Sequence, residues 1–135
     1  MASTMNNQAT EQWTGSGTIL LVDDEEAIRT IATKVLASIG FEVITAADGL
    51  EALEHYSKLG DSIALVLLDM TMPRMNGEET LIELRRRNNE VKIVLCSGYI
   101  DAQLISAYDG DGITAFIQKP YMRNDLRTTL RQMLG

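Results

Sequence analysis

A chain of 135 residues, 45% hydrophobic and 23% charged, has length for one domain with a proper core and too little for two ordinary ones. That balance excludes global disorder, and a formal net charge of -7 speaks against direct nucleic-acid binding, which needs a basic face to displace counterions. No stretch approaches the ~20 apolar residues that span a bilayer, and the polar N-terminus lacks a signal peptide's apolar centre. A reducing, cytoplasmic setting without membrane contact is the expectation.

Residues 1–17 are rich in Ser, Thr, Asn, Gln and Gly, with Trp13 the one large apolar residue, and read as a flexible tail or linker. Patterned sequence occupies 18–135. Thr18 to Val22 is a short apolar run ending in two aspartates, as in a buried strand. From Glu25 to Ile39 apolar residues recur at helical spacing, and Gly40 closes the helix. Phe41 to Ala46 reads as a strand, and Asp48 to Leu59 as a helix with Asp48 as N-cap. Ile63 to Leu68 is a third strand, again followed by an aspartate. Glu78 to Arg87 is helical, Val91 to Cys96 a fourth strand that buries the single cysteine, and Ala102 to Tyr108 a weaker helix. Ile113 to Ile117 is a fifth strand, and Arg123 to Leu134 closes as an amphipathic helix.

Strands alternating with helices define an α/β fold: a doubly wound, flavodoxin-like parallel sheet in the order 2-1-3-4-5 with helices on both faces. The unbroken apolar runs Ile63 to Leu68 and Val91 to Leu95 suit strands covered on both sides.

In such a sheet ligands bind beyond the carboxyl ends of the strands. The first strand ends in Asp23 and Asp24, the third in Asp69, the fourth in Ser97 and the fifth in Lys119. Taken singly, an aspartate after a strand is most simply a cap or turn former, and Asp24 before Glu25 and Glu26 fits an ordinary helix start. Taken together, complementary groups at four strand ends point to a site. Three close carboxylates repel one another, and a hard dication such as Mg²⁺ relieves this. With Lys119 as a fixed positive charge beside Asp69 and Ser97 as a hydroxyl donor, the set suits transfer of a phosphoryl group to the Asp69 carboxylate.

The segments Ile19-Leu-Leu-Val-Asp-Asp-Glu25, Leu67-Leu-Asp-Met-Thr-Met-Pro-Arg-Met-Asn-Gly77, Leu95-Cys-Ser-Gly98 and Phe116-Ile-Gln-Lys-Pro120 resemble the receiver domain of response regulators over Thr18 to Leu134. The resemblance implies that Asp69 is the phosphoacceptor in a two-component phosphorelay. It implies that Asp24, Asp69 and the backbone carbonyl of Thr71 hold Mg²⁺, with Asp23 acting through a metal-bound water. Ser97 and Lys119 would contact the phosphoryl group, the peptide between Lys119 and Pro120 would be cis, and Phe116 would turn inward as Ser97 moves toward the phosphoryl group. Met72, Pro73, Asn76 and Gly77 would form a loop at the rim. Thr71 and Tyr99 sit where the family tunes dephosphorylation. The segment Tyr108 to Gly112 departs from the family's usual loop, which leaves open whether the preceding helix is short or mobile and which face meets partners.

A haloacid-dehalogenase-type phosphotransferase would need an aspartate two residues after Asp69, where Thr71 stands. A pseudo-receiver that only docks proteins would lack an acidic residue or the lysine, and a flavin carrier would need a hydroxyl-rich loop after the first strand. The one histidine, His55, reads as a surface residue, and 135 residues cannot hold a kinase's ATP-binding domain as well. The chain is thus either a stand-alone receiver or part of a longer protein, and Trp13-Thr-Gly-Ser-Gly-Thr18 resembles the linker before the receiver of a hybrid sensor kinase. Such a domain would catalyse its own phosphorylation and dephosphorylation without being a free-standing enzyme; the parent of an excised one would be a histidine kinase. The implied partners are a histidine kinase or phosphotransfer domain as donor, and a downstream protein on the fourth helix, fifth strand and fifth helix.

Overall fold

The computed structural model describes residues 13–70, 76–107 and 115–135. Five parallel strands, β1 (Thr18–Val22), β2 (Glu42–Ala46), β3 (Ile63–Asp69), β4 (Ile93–Ser97) and β5 (Ala115–Gln118), form one sheet in the order β2-β1-β3-β4-β5. The helices are α1 (Glu26–Ile39), α2 (Gly49–Leu59), α3 (Gly77–Arg87), α4 (Ala102–Ala107) and α5 (Arg123–Leu134), with a short 3₁₀ turn over Gly60–Ser62. The expected α/β order is therefore the observed one.

The apolar runs divide between two cores because successive side chains of a strand face opposite ways. Leu20, Val22, Val66, Leu68, Ile93 and Leu95 pack with Leu53 and Tyr56 of α2 and Leu81 and Leu84 of α3. Their neighbours Ile19, Leu21, Leu65, Leu67, Val94 and Cys96 pack with Ala32, Leu36 and Ile39 of α1 and Leu126 and Leu130 of α5. Strand order reverses between β1 and β3, and this opens the crevice at the carboxyl ends of the central strands.

Several boundaries move by a residue or two. Phe41 leaves β2 because its N–H returns to Leu36 O at 3.1 Å, part of the reversal after α1 that Gly40 makes at φ 120°. β4 starts at Ile93 because the Val91 N–H turns back to Asn88 O at 3.3 Å. It reaches Ser97 because that residue pairs with Gln118, which extends β5 past the expected Ile117. Ile113, Thr114 and Tyr108, also assigned to elements from the sequence, lie outside the described residues. Asn76 and Gly77 are not rim loop: Asn76 caps α3 through a capping box with Glu79, and Gly77 is its first residue.

Trp13 to Gly17, expected as the end of a linker, run against the pole of the sheet remote from the strand ends. Trp13 lies tilted against Phe41 with ring centroids 6.1 Å apart, the Gly15 N–H donates to Ile39 O at 2.9 Å, and Gly17 O accepts from the Glu42 N–H at 3.0 Å. No described helix is long and apolar enough to cross a membrane.

Candidate functional site

β1 and β3 are neighbours, so their ends deliver Asp23 and Asp69 side by side, and the turn into α1 adds Asp24. One carboxylate oxygen from each of the three lies within 4.8 Å of the others. Asp23 is fully buried and Asp69 nearly so, at 4% exposure, whereas Asp24 is open to solvent. Lys119 arrives from the end of β5 with its Nζ 2.9 Å from Asp23 Oδ2 and 3.5 Å from Asp69 Oδ1. The lysine thus leans more on Asp23 than on Asp69, a preference the sequence does not disclose. Burial works against its charge, but the bond to Asp23 and the charges of Asp69 and Asp23 outweigh it and hold the ammonium above its ordinary pKa. One ammonium against three carboxylates leaves the pocket negative.

Capping chemistry separates the aspartates that serve helices from those that do not. Asp48 accepts the Glu51 N–H at 2.9 Å and caps α2, as expected. Asp24 caps nothing: Glu25 occupies the cap position of α1 with no side-chain bond, and the Glu25 N–H goes instead to Asp23 Oδ1 at 3.0 Å. Asp24 therefore gives α1 no capping bond, although its charge still lies at the N-terminal end of that helix.

An open pocket of about 430 Å³ is lined by Asp24, Asp69, Ser97 and Lys119, and also by Glu25, Ile28, Gly98 and Pro120, which sequence reasoning did not select. The signal for Glu25, Gly98 and Pro120 was nearness to the strand ends, whereas Ile28 comes from the first turn of α1. The Lys119–Pro120 peptide is cis. Ser97 stands at the rim, but its Oγ donates to Tyr99 O at 3.1 Å and accepts the Tyr99 N–H at 3.2 Å. Its hydroxyl is engaged in a local turn while the residue lines the pocket, so donation to a ligand exchanges the bond to Tyr99 O. Phe116 is half-buried, packs against the α2/α3-side core, and borders a separate groove with Gln118 and Asp125. Thr71 lies outside the described residues. His55, on α2, is partly exposed with its Nε2 3.6 Å from Glu51.

Under the site the backbone is tightly drawn. The Gly77 N–H donates to Met70 O at 3.2 Å, and a Cβ on Gly77 would stand 2.7 Å from both Asp69 O and Met70 Cα. Only glycine lets α3 start so close to the end of β3. Cys96 pairs with Asp69 across the β3–β4 ladder and is fully buried, which pushes its thiol up to about 12.

The residues fit a hard dication: three hard oxygen donors converge within 4.8 Å, and among the described residues a single ammonium is shared between two of them. What they define is a carboxylate-rich, water-accessible pocket with one cation among the described residues, at the switch point of a doubly wound sheet. Residues 19–131 match the family model described as response regulator receiver domain, and the chain belongs to that family. It is 38% identical over 120 residues to the sensor kinase CckA of Brucella abortus, covering 89% of this chain and 13% of that protein. Among solved structures it is similar to chemotaxis protein CheY4 of Vibrio cholerae, with a TM-score of 0.82 and 29% identity over 89% of this chain and 100% of that one. A CheX–CheY–BeF₃–Mg²⁺ complex from Borrelia burgdorferi gives a TM-score of 0.82 at 31% identity, over 86% of this chain and 87% of that one. The chain is a receiver domain of two-component signalling.

Proposed function

We propose that Asp69 is the residue phosphorylated. The observation that carries the reading is the convergence of Asp23, Asp24, Asp69 and Lys119 within one pocket at the ends of β1, β3 and β5. One Asp69 oxygen attacks the phosphorus of a phosphohistidine. The N–P bond breaks, the imidazole leaves with a proton, and an acyl phosphate remains on Asp69. Lys119, already 3.5 Å from Asp69 Oδ1, follows the incoming phosphoryl charge, and Ser97 donates to a phosphoryl oxygen after giving up its Tyr99 turn. Asp24 and Asp69, with the Thr71 carbonyl and with Asp23 behind them, would hold Mg²⁺, which supplies neutralisation of the charge gathered there. The Mg²⁺ and BeF₃ in the Borrelia complex support that assignment by similarity.

The donor would be a histidine kinase or histidine phosphotransfer domain on the cytoplasmic side of the membrane. The likeness to CckA, of which this chain matches 13%, and the Trp13–Thr18 lead-in favour a hybrid sensor kinase as the parent, with 18–135 as the receiver unit. Movement of Ser97 would free space for the Phe116 ring, and α4, β5 and α5 would present the change to a downstream protein. Phosphorylation of wild type and Asp69→Asn by a small phosphodonor tests the assignment: loss of the modification in the variant supports it, and retention moves the acceptor elsewhere.

A further inference from the structure

The turn that carries the two N-terminal carboxylates is held one peptide at a time. The Asp23 N–H donates to Ala46 O at 3.0 Å, which fixes the peptide between Val22 and Asp23. The Glu25 N–H donates to Asp23 Oδ1 at 3.0 Å, which fixes the peptide between Asp24 and Glu25. The peptide between them, joining Asp23 to Asp24, is held by a side chain from the first turn of α1: Arg29 Nη1 donates to Asp23 O at 2.8 Å.

Two further facts make this contact unusual. Arg29 stands among Asp24, Glu25 and Glu26, yet among the described residues its guanidinium pairs with no carboxylate and spends its charge on that carbonyl. Asp24 has no hydrogen bond or ion pair of its own to a described residue. Its backbone position, from which the carboxylate swings, is therefore set by the peptides of this turn.

We propose that Arg29 is a positioning residue for the cation pocket, acting through the Asp23 carbonyl to aim Asp24. The inference rests on the reading of the pocket as a Mg²⁺ site. A charged donor bonded to a carbonyl is worth more than a neutral one, and partners behind metal-ligating groups carry a large share of metal affinity. Charge and position pull in opposite directions here. As a nearby cation Arg29 opposes Mg²⁺, so removing it tightens binding if charge is its only effect; if it aims Asp24, removing it weakens binding.

The test is calorimetric Mg²⁺ titration of wild type, Arg29→Gln and Arg29→Lys at one ionic strength, with thermal unfolding of each metal-free sample. The expected result is a roughly 10-fold loss of Mg²⁺ affinity in Arg29→Gln, with part of it restored in Arg29→Lys and metal-free unfolding little changed. Unchanged or tighter Mg²⁺ binding in Arg29→Gln, beside normal binding by wild type, overturns the inference and leaves the Mg²⁺ reading standing. Absence of Mg²⁺ binding by wild type overturns both. Should Arg29→Gln not fold, Arg29→Lys decides alone: its shorter, single-headed donor predicts a loss of about threefold or more, and an unchanged affinity overturns the inference.

Discussion

Asp24 is the most solvent-open member of the carboxylate cluster, and until a cation arrives its charge only opposes Asp23 and Asp69. Two like charges up to 4.8 Å apart near a protein surface repel by on the order of 1 kcal/mol or more. Asp24→Asn is therefore expected to raise the stability of the metal-free protein by about 1 kcal/mol, read from the urea midpoint, while removing most of the stabilisation that added Mg²⁺ gives the wild type. A lower midpoint without metal would show that the carboxylate is held by attraction instead. Lys119 has a pH signature. Its folded pKa lies above 10.5, so the stability it lends is whole below 10.5 and fades as pH rises through the folded value. The stability gap between wild type and Lys119→Met is expected to be flat from about pH 6 to 9 and to shrink only in stronger alkali, measured by denaturant unfolding across pH. Cys96, buried and pushed up to about 12, holds its proton at neutral pH. It should resist iodoacetamide in the folded protein and react once urea unfolds it; rapid native labelling would contradict its burial.

Among the elements, the start of α3 bears most directly on the site. Its capping box joins Asn76 Oδ1 to the Glu79 N–H at 2.9 Å, and Glu79 Oε1 to the Asn76 N–H at 3.3 Å. Asn76→Ala should cost about 1 kcal/mol of stability with little effect on phosphorylation. Gly77→Ala should do more harm to function, because the new Cβ presses on Asp69 O and Met70 Cα and shifts the proposed acceptor; equal phosphorylation rates in the two variants would contradict this. At the opposite pole, Trp13 is half-buried against Phe41. Trp13→Ala is expected to lower stability by roughly 1–2 kcal/mol, whereas an unchanged midpoint would mean that the lead-in contributes nothing to the fold. The helices and strands were legible because each buries a face whose spacing is written in the sequence. The lead-in was not, since a single tryptophan among Gly, Ser and Thr has no periodicity to betray that it docks. The Asn76–Glu79 capping box was visible in principle as Asn-x-x-Glu, yet the neighbouring Pro73 and Gly77 suggested a loop. Helix α4, expected to be weak, spans six residues and buries none of them.

At the scale of the whole molecule, strand order does the work that makes the site readable. Once β1, β3, β4 and β5 are parallel neighbours, the residues at their ends must share a rim, and the expected Asp23, Asp24, Asp69, Ser97 and Lys119 do so. What the pattern of residues could not supply is how these groups divide their bonds. Lys119 lies nearer Asp23 than Asp69, the Ser97 hydroxyl turns to Tyr99, and Arg29 reaches back to a main-chain carbonyl. Each depends on side-chain conformations chosen in the folded state, which leave no mark in spacing. The described residues gather three carboxylates and one ammonium at this rim, and the proposed function makes Asp69 the carboxylate that takes the phosphoryl group. Intact-mass analysis after exposure to acetyl phosphate, with and without Mg²⁺, in wild type and Asp69→Asn, tests that claim most directly. The account predicts one added phosphoryl group, dependent on Mg²⁺, base-labile and absent from Asp69→Asn. A folded wild-type protein that stays unmodified with Mg²⁺ present, or an Asp69→Asn variant modified as readily as wild type, would contradict it.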